Sequence, residues 1–186
     1  MGARPVQSNS VRIIGGEYRS RILRFPESSG LRPTPDRVRE TLFNWLGQRL
    51  HGLTCLDAFA GSGALGFEAA SRGAARVLML ERDARVLAAL RQNAGLLQAG
   101  TVEILQIDAL SYLAGPGEAF DVIFLDPPFD RNLLEPALRS AATRLRPGGK
   151  IYAESPVSMR PDGLSILRQG RAGLAHFCLL EPSPTL

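Results

Sequence analysis

The sequence predicts an α/β protein: a doubly wound, mostly parallel seven-stranded sheet with a small N-terminal β-hairpin and helix extension. Three observations predict it. From residue 53 onward, apolar runs of strand length alternate with stretches of helical periodicity. Most of those runs are apolar throughout, the pattern of strands covered on both faces. The first of them passes through a glycine turn straight into a helix, as βαβ units do. The 186 residues suit one domain, and 45% hydrophobic against 22% charged residues provides enough apolar surface to offset ordering entropy.

Taken in order, Val11–Ile14 and Ile22–Phe25 are strand-like and flank Gly15-Gly16, so the spacing predicts a β-hairpin. A helix follows, with Thr34 as cap, Pro35 in its first turn and Asp36 complementing the dipole. Val38, Leu42, Trp45, Leu46 and Leu50 form its apolar stripe and Gly52 stops it. Strands are then expected at 55–59, 77–81, 102–107, 121–126 and 150–154, with helices at 64–72, 84–97, 109–113 and 133–145 between them. Arg146-Pro147-Gly148-Gly149 reads as the stop of the last helix. Runs at 164–168 and 175–181 close the sheet as an antiparallel pair.

No apolar run reaches the roughly 18 residues needed to cross a bilayer, and no signal-peptide pattern is present. Cys55 and Cys178 each lie inside an apolar run, which suits buried reduced thiols better than a disulfide or a metal site. A soluble, cytoplasmic, monomeric protein without metal is the expectation. The net charge of +4 is unevenly spread: residues 1–40 hold eight arginines against four acids, and the rest of the chain is balanced. Only Lys150 among the 22 basic residues is not arginine. That amino-terminal excess reads either as a polyanion-binding edge or as an arginine-biased solvated surface.

Two constellations carry chemistry. In Asp57-Ala58-Phe59-Ala60-Gly61-Ser62-Gly63-Ala64-Leu65-Gly66 the glycines satisfy G-x-G-x-x-G, and Glu81 follows Gly61 by 20 residues at the next strand end. This is the pattern of a nucleoside crevice, with the acid on the ribose; the plain alternative is close helix packing. Asp57 argues against a dinucleotide, because a carboxylate repels pyrophosphate and attracts a cationic amino-acid moiety such as that of S-adenosylmethionine. Its bland reading is a turn cap.

The second constellation is Asp126-Pro127-Pro128-Phe129 at the end of the fourth strand of the sheet. The prolines hold a rigid extended turn. The Asp126 carboxylate and the Pro127 carbonyl can accept both hydrogens of an exocyclic base amine and aim its lone pair at a methyl donor. Phe129 either stacks on the extruded base or fills the core. Asp108-Ala109 closes the third strand and can either meet an adenine amine or cap a helix. His51 and His176 lack partner spacing, and no hydrolytic triad or Cys/His ligand cluster is readable.

Residues 11–46, with Val-Arg-Ile-Ile-Gly-Gly-Glu-Tyr-Arg-Ser-Arg leading to Arg-Pro-Thr-Pro-Asp-Arg-Val-Arg-Glu-Thr-Leu-Phe-Asn-Trp-Leu, resemble the amino-terminal signature of bacterial small-subunit (16S) ribosomal RNA (guanine-N2-)-methyltransferases. The Asp-Ala-Phe-Ala-Gly-Ser-Gly and Asp-Pro-Pro-Phe blocks fit the same family, and the likeness spans about residues 11–181. It implies the Rossmann-like methyltransferase sheet with strand order 3-2-1-4-5-7-6. It implies that Asp57, Ala58, Phe59, Gly61 and Gly63 hold the methionine part of S-adenosylmethionine, Glu81 the ribose, and Asp108 with Ala109 the adenine, with Arg82 and Asp126 also binding the cofactor. Asp126 and Pro127 then hold the guanine amine, while Thr34, Arg39 and Asn44 help to close the cofactor pocket. Arg12, Arg19, Arg21, Arg24 and Arg32 grip 16S ribosomal RNA, presented by an assembling small subunit. Residues 1–33 form a basic RNA-binding arm, 34–182 the methyltransferase domain including its first helix, and 183–186 a disordered tail. Residues 175–180 lack the tyrosines expected in the final strand. Competing readings are an adenine-N6 or protein-amine methyltransferase, a nicotinamide oxidoreductase, and an RNA-binding protein with a vestigial fold.

Overall fold

The computed structural model describes residues 8–27, 31, 33–129 and 132–184; Arg32, residues 1–7 and the last two residues of the expected tail lie outside the described residues. In chain order the elements are β1 (Ser8–Arg12), β2 (Ile22–Pro26), α1 (Asp36–Trp45), β3 (Thr54–Asp57), α2 (Ala64–Ser71), β4 (Arg76–Glu81) and α3 (Ala84–Leu97). There follow β5 (Val102–Gln106), α4 (Ala109–Ala114), β6 (Phe120–Leu125), α5 (Leu134–Ala142), β7 (Leu145–Ser155), β8 (Leu164–Ala172) and β9 (Ala175–Pro182).

Seven strands form one sheet in the order β5-β4-β3-β6-β7-β9-β8. The first five run parallel, and β9 inserts antiparallel between β7 and β8. Numbered within the sheet alone, this is the 3-2-1-4-5-7-6 order that the resemblance implies. The winding runs outward from β3 to β5 and then returns to β6 on the other side of β3. The switch point, where such sheets bind ligands beyond the strand ends, therefore lies between β3 and β6.

Strand alternation divides the interior in two. Cys55, Val77, Met79, Val122, Phe124, Tyr152 and Phe177 point to a core shared with α1, α2, α3 and the hairpin. Leu56, Leu78, Ile123, Leu125, Ile151 and Leu180 point to the other, shared with α4 and α5. Both cysteines are buried and free.

The hairpin is fastened to the sheet's first layer. Val11, Ile13, Leu23 and Phe25 join that core, and all of α2 is buried beneath. Ser71 accepts from the Glu17 amide at 2.7 Å and its hydroxyl donates to the Gly15 carbonyl at 2.5 Å. Gly16 lies at φ +77°, and a Cβ there would sit 1.8 Å from the Ser71 carbonyl oxygen, so only glycine fits. On the other flank Asn93 of α3 accepts from the Arg24 amide at 3.2 Å and donates to its carbonyl at 2.9 Å.

Three sequence expectations need correction. Thr34 does not cap α1: Pro35 is the cap, without a side-chain bond, and the Thr34 hydroxyl turns to β6 and β7. The same helix ends at Trp45, where Leu46 and Gly47 at φ +90° break it, although Leu50 is still buried. The fifth helix stops at Ala142 rather than 145, because Arg144 turns away to donate to the carbonyls of Glu118 and Gly115, both at 2.8 Å. Arg146–Gly149 then belongs to β7, bulged out where the register jumps from Phe120–Leu145 to Val122–Lys150.

Candidate active site

The site grows from the carboxyl ends of β3, β6 and β7. Asp57 pairs in register with Phe124, and the Ala58 amide donates to the Phe124 carbonyl at 3.1 Å. Asp126 follows Phe124 by two residues, hence on the same face as Asp57. Phe124 pairs in turn with Tyr152, so Glu154 stands beside Asp126 on that face. Three acids thus converge over the first core at the switch point.

Asp57 is buried. Its Oδ2 accepts from the Gly66 amide at 2.9 Å, in the first turn of α2, where the helix dipole favours an anion. Gly63 precedes that helix at φ +80°, and a Cβ there would lie 2.6 Å from the Phe67 ring. Burial, with the Glu81 charge adding to it, pushes the Asp57 carboxyl up to about 7 against the amide bonds that favour its ionised form. Glu81 accepts from the Gly61 amide at 3.2 Å and from the Asp83 amide at 2.8 Å, which fixes its carboxylate at the lip of the glycine turn.

Asp126 Oδ2 lies 3.2 Å from the Thr34 hydroxyl, and Glu154 Oε1 lies 3.0 Å from the same hydroxyl. Tyr152 donates its phenol to that Glu154 oxygen at 2.7 Å. Burial first, then the charges of Glu154 and Asp57, hold the Asp126 carboxyl well above the usual carboxylate range. Burial also raises Glu154, opposed by the Tyr152 and Thr34 hydroxyls. Beside them opens a cleft of about 290 Å³ lined by Pro127, Phe129, Leu133, Glu154 and Val157, with the Phe129 ring 44% exposed rather than packed in the core.

The remaining sequence-predicted residues are spread more widely. Ala58 is buried and Phe59 half-buried behind the glycine turn; Arg82 is exposed. Asp108 caps α4 by accepting from the Ser111 amide at 2.9 Å, and Ala109 is buried behind it. Arg39 is fully buried, its guanidinium taken up by Glu68, Asp36 and the Thr34 carbonyl. It therefore supports Thr34 from behind. Asn44 is exposed, eight residues along α1 from Asp36 and about 12 Å from it at the helical rise. On the hairpin, Arg12 pairs with Asp36 at 3.1 Å, Arg21 donates to the Leu96 carbonyl at 3.0 Å, and Arg19 and Arg24 have exposed side chains.

Sequence reasoning missed Glu154, Tyr152 and Glu68. Glu68 is wholly buried and accepts from the Ile14 and Gly15 amides, both at 2.8 Å, as well as from Arg39 and Arg72. Its signal was a lone acid inside the otherwise apolar run 64–70. Among the described residues, every ion pair lies elsewhere: none involves Asp57, Glu81, Asp126 or Glu154. The acids at the switch point thus form a cluster with no ion-paired cation among the described residues.

Known proteins place this geometry in a family. The pattern described as "conserved hypothetical protein 95" matches residues 11–181. Ribosomal RNA small subunit methyltransferase D of Escherichia coli K12 is 47% identical over 180 residues, spanning 94% of this chain and 91% of the relative. The Haemophilus influenzae protein of the same name is 41% identical over 186 residues, covering 95% and 96%. The solved structure of Escherichia coli yhhF superposes with a TM-score of 0.84 at 42% identity, covering 95% of this chain and all of that one. The chain therefore belongs to the conserved hypothetical protein 95 family, together with the ribosomal RNA small subunit methyltransferases D.

Proposed function

We propose that this chain transfers a methyl group from S-adenosylmethionine to the exocyclic N2 amine of a guanine in 16S ribosomal RNA, presented within an assembling small subunit. The observation that carries the reading is the group of acids at the switch point with no paired cation among the described residues. Buried carboxylates without a counter-ion are costly, and a ligand bearing both an ammonium and a sulfonium supplies what is missing. S-adenosylmethionine fits that donor set: Asp57 suits its ammonium, Glu81 the ribose hydroxyls, and the turn at Gly61–Gly63 the close approach of backbone. When bound, it supplies an electrophilic methyl group.

The chain's own residues handle the acceptor. Asp126 and the carbonyl of Pro127 accept the two amine hydrogens, which turns the nitrogen lone pair out of conjugation and toward the donor. Phe129, exposed at the cleft, offers a stacking face for the extruded base. Exposed Arg19 and Arg24 suit phosphates of the RNA around it. The likeness to the methyltransferase D proteins over nearly the full chain supports the ribosomal substrate.

The test is incubation of the protein with labelled S-adenosylmethionine and small subunits lacking the modification, followed by mass spectrometry of the methylated nucleoside. N2-methylguanosine is expected, and D126N is expected to lose turnover by about a thousandfold or more while cofactor binding by calorimetry persists. Methyl on adenine N6, or near-normal turnover by D126N, overturns the reading.

A further inference from the structure

Glu154 has a place in the geometry that the methyl-acceptor role of Asp126 does not use. The Thr34 hydroxyl lies within hydrogen-bond reach of both acids, 3.2 Å from Asp126 Oδ2 and 3.0 Å from Glu154 Oε1, yet it has one proton to donate. Tyr152 donates to the same Glu154 oxygen. Glu154 therefore has two hydroxyl donors facing it, and Asp126 at best shares one. Asp126 follows the end of β6 and Glu154 lies in the adjacent parallel β7, one residue beyond the Leu125–Ala153 pair, so the two carboxyl groups share one face. Like charges so close do not both ionise freely, and one proton between them relieves the repulsion.

We propose that Glu154 is a positioning residue for the amine substrate: it and Asp126 hold a single proton between them across the Thr34 hydroxyl, so Glu154 sets when Asp126 is a full acceptor. This rests on the reading of Asp126 as the amine-binding acid. Among the described residues, the other groups facing the pair are few. Asp57 on β3 adds negative charge, and Tyr152 on β7 adds a neutral donor. Cys178 on β9 lies behind Tyr152, and Arg39 on α1 is held behind Thr34 by that residue's carbonyl. Glu135 and Arg160 line the neighbouring cleft.

The donors on Glu154 favour its ionised form, so the shared proton rests on Asp126 in the free protein. Arrival of a cation beside these acids favours its release, and Asp126 then accepts from the amine as a carboxylate. Glu154 also lines the cleft, which gives the departing proton an exit to solvent.

The sign of the test follows from charge. Glu154→Gln removes the negative neighbour and keeps the side-chain size, so Asp126 ionises at lower pH. In cofactor-free protein carrying 13C-labelled aspartate and glutamate side chains, the wild-type Asp126 and Glu154 carboxyl resonances are expected to titrate together in two steps. In E154Q the Asp126 resonance is expected to titrate in one step at lower pH. With small subunits as substrate, the acid limb of kcat moves the same way. The ratio of E154Q to wild-type kcat, each normalised to its plateau, rises above one as pH falls.

Tyr152→Phe keeps the ring in its aromatic cluster and removes one donor, so the Glu154 resonance is expected to move to higher pH. An Asp126 titration unchanged by both substitutions overturns the proposal, even if guanine is methylated. Methylation of another atom, with the titrations as expected, overturns the substrate reading and leaves the proton pair standing.

Discussion

Replacing Asp57 with Asn tests the electrostatics of the site without touching its shape. The amide keeps an oxygen to accept from Gly66 and loses the charge. In the folded protein the Asp57 carboxyl sits at about 7, against 3.8 for an ordinary one. The folded state therefore binds this proton more tightly than the unfolded chain. Its contribution to stability is complete below the unfolded value and is lost as pH rises toward the folded one. At about 1.4 kcal/mol per pH unit well below the folded value, and less as it is approached, the wild type should lose about 2.3 kcal/mol relative to D57N between pH 5 and pH 7, and the remaining few tenths by pH 8. Urea denaturation of both cofactor-free proteins at pH 5, 6, 7 and 8 reads the difference directly. A cationic ligand answers with the opposite slope, because it prefers the ionised acid. S-adenosylmethionine should bind the wild type more tightly as pH rises toward 7, by up to about tenfold per unit, and D57N weakly with a smaller pH dependence. Denaturation curves for the two proteins that shift in parallel from pH 5 to pH 7 would refute the reasoning.

Two further substitutions probe the rest of the molecule. Glu68→Gln leaves the fully buried Arg39 guanidinium with Asp36 as its one acidic partner and weakens the acceptor of the Ile14 and Gly15 amides. It should cost about 3–5 kcal/mol in urea denaturation, and a loss below about 1 kcal/mol would show that the hairpin needs no such anchor. Reversing two exposed arginines, Arg19→Glu with Arg24→Glu, should weaken binding to small subunits. It should also reduce the slope of log affinity against log salt by about two, while calorimetric cofactor affinity stays put. An unchanged slope would remove the hairpin from the RNA interface.

The fold was readable because its signals are local. Each buried parallel strand is an apolar run, and the acids that end β3 and β6 interrupt those runs visibly, as Asp57 and Asp126 do. Gly61 and Gly63 mark the turn because only a positive φ opens it there. What stayed hidden depends on register. Glu154 looks like any acid closing a strand until β7 pairs with β6 and sets it beside Asp126. Thr34 has the sequence context of a helix cap, and its actual partners lie 92 and 120 residues downstream. The ends of α1 and α5 were misplaced for a related reason. Leu50 and Leu145 continue the helical spacing, but tertiary contacts take them up after the helix has stopped.

The contrast between two buried acid sites bears most directly on function. Glu68 and the acids at the switch point belong to one small domain, yet the chain treats them differently. Glu68 receives two guanidinium groups and two backbone amides, which is how a fold neutralises a carboxylate that must stay ionised. Among the described residues, Asp57, Asp126 and Glu154 receive amides and hydroxyls and no guanidinium, although arginine is abundant in this sequence. An arginine placed among them would stabilise the cofactor-free protein and occupy the position a cationic ligand needs. Leaving the charge uncompensated costs stability in the empty protein and returns it as affinity for a cation. On that argument, a variant that introduces a basic side chain beside Asp57 gains stability and loses the methyl donor together.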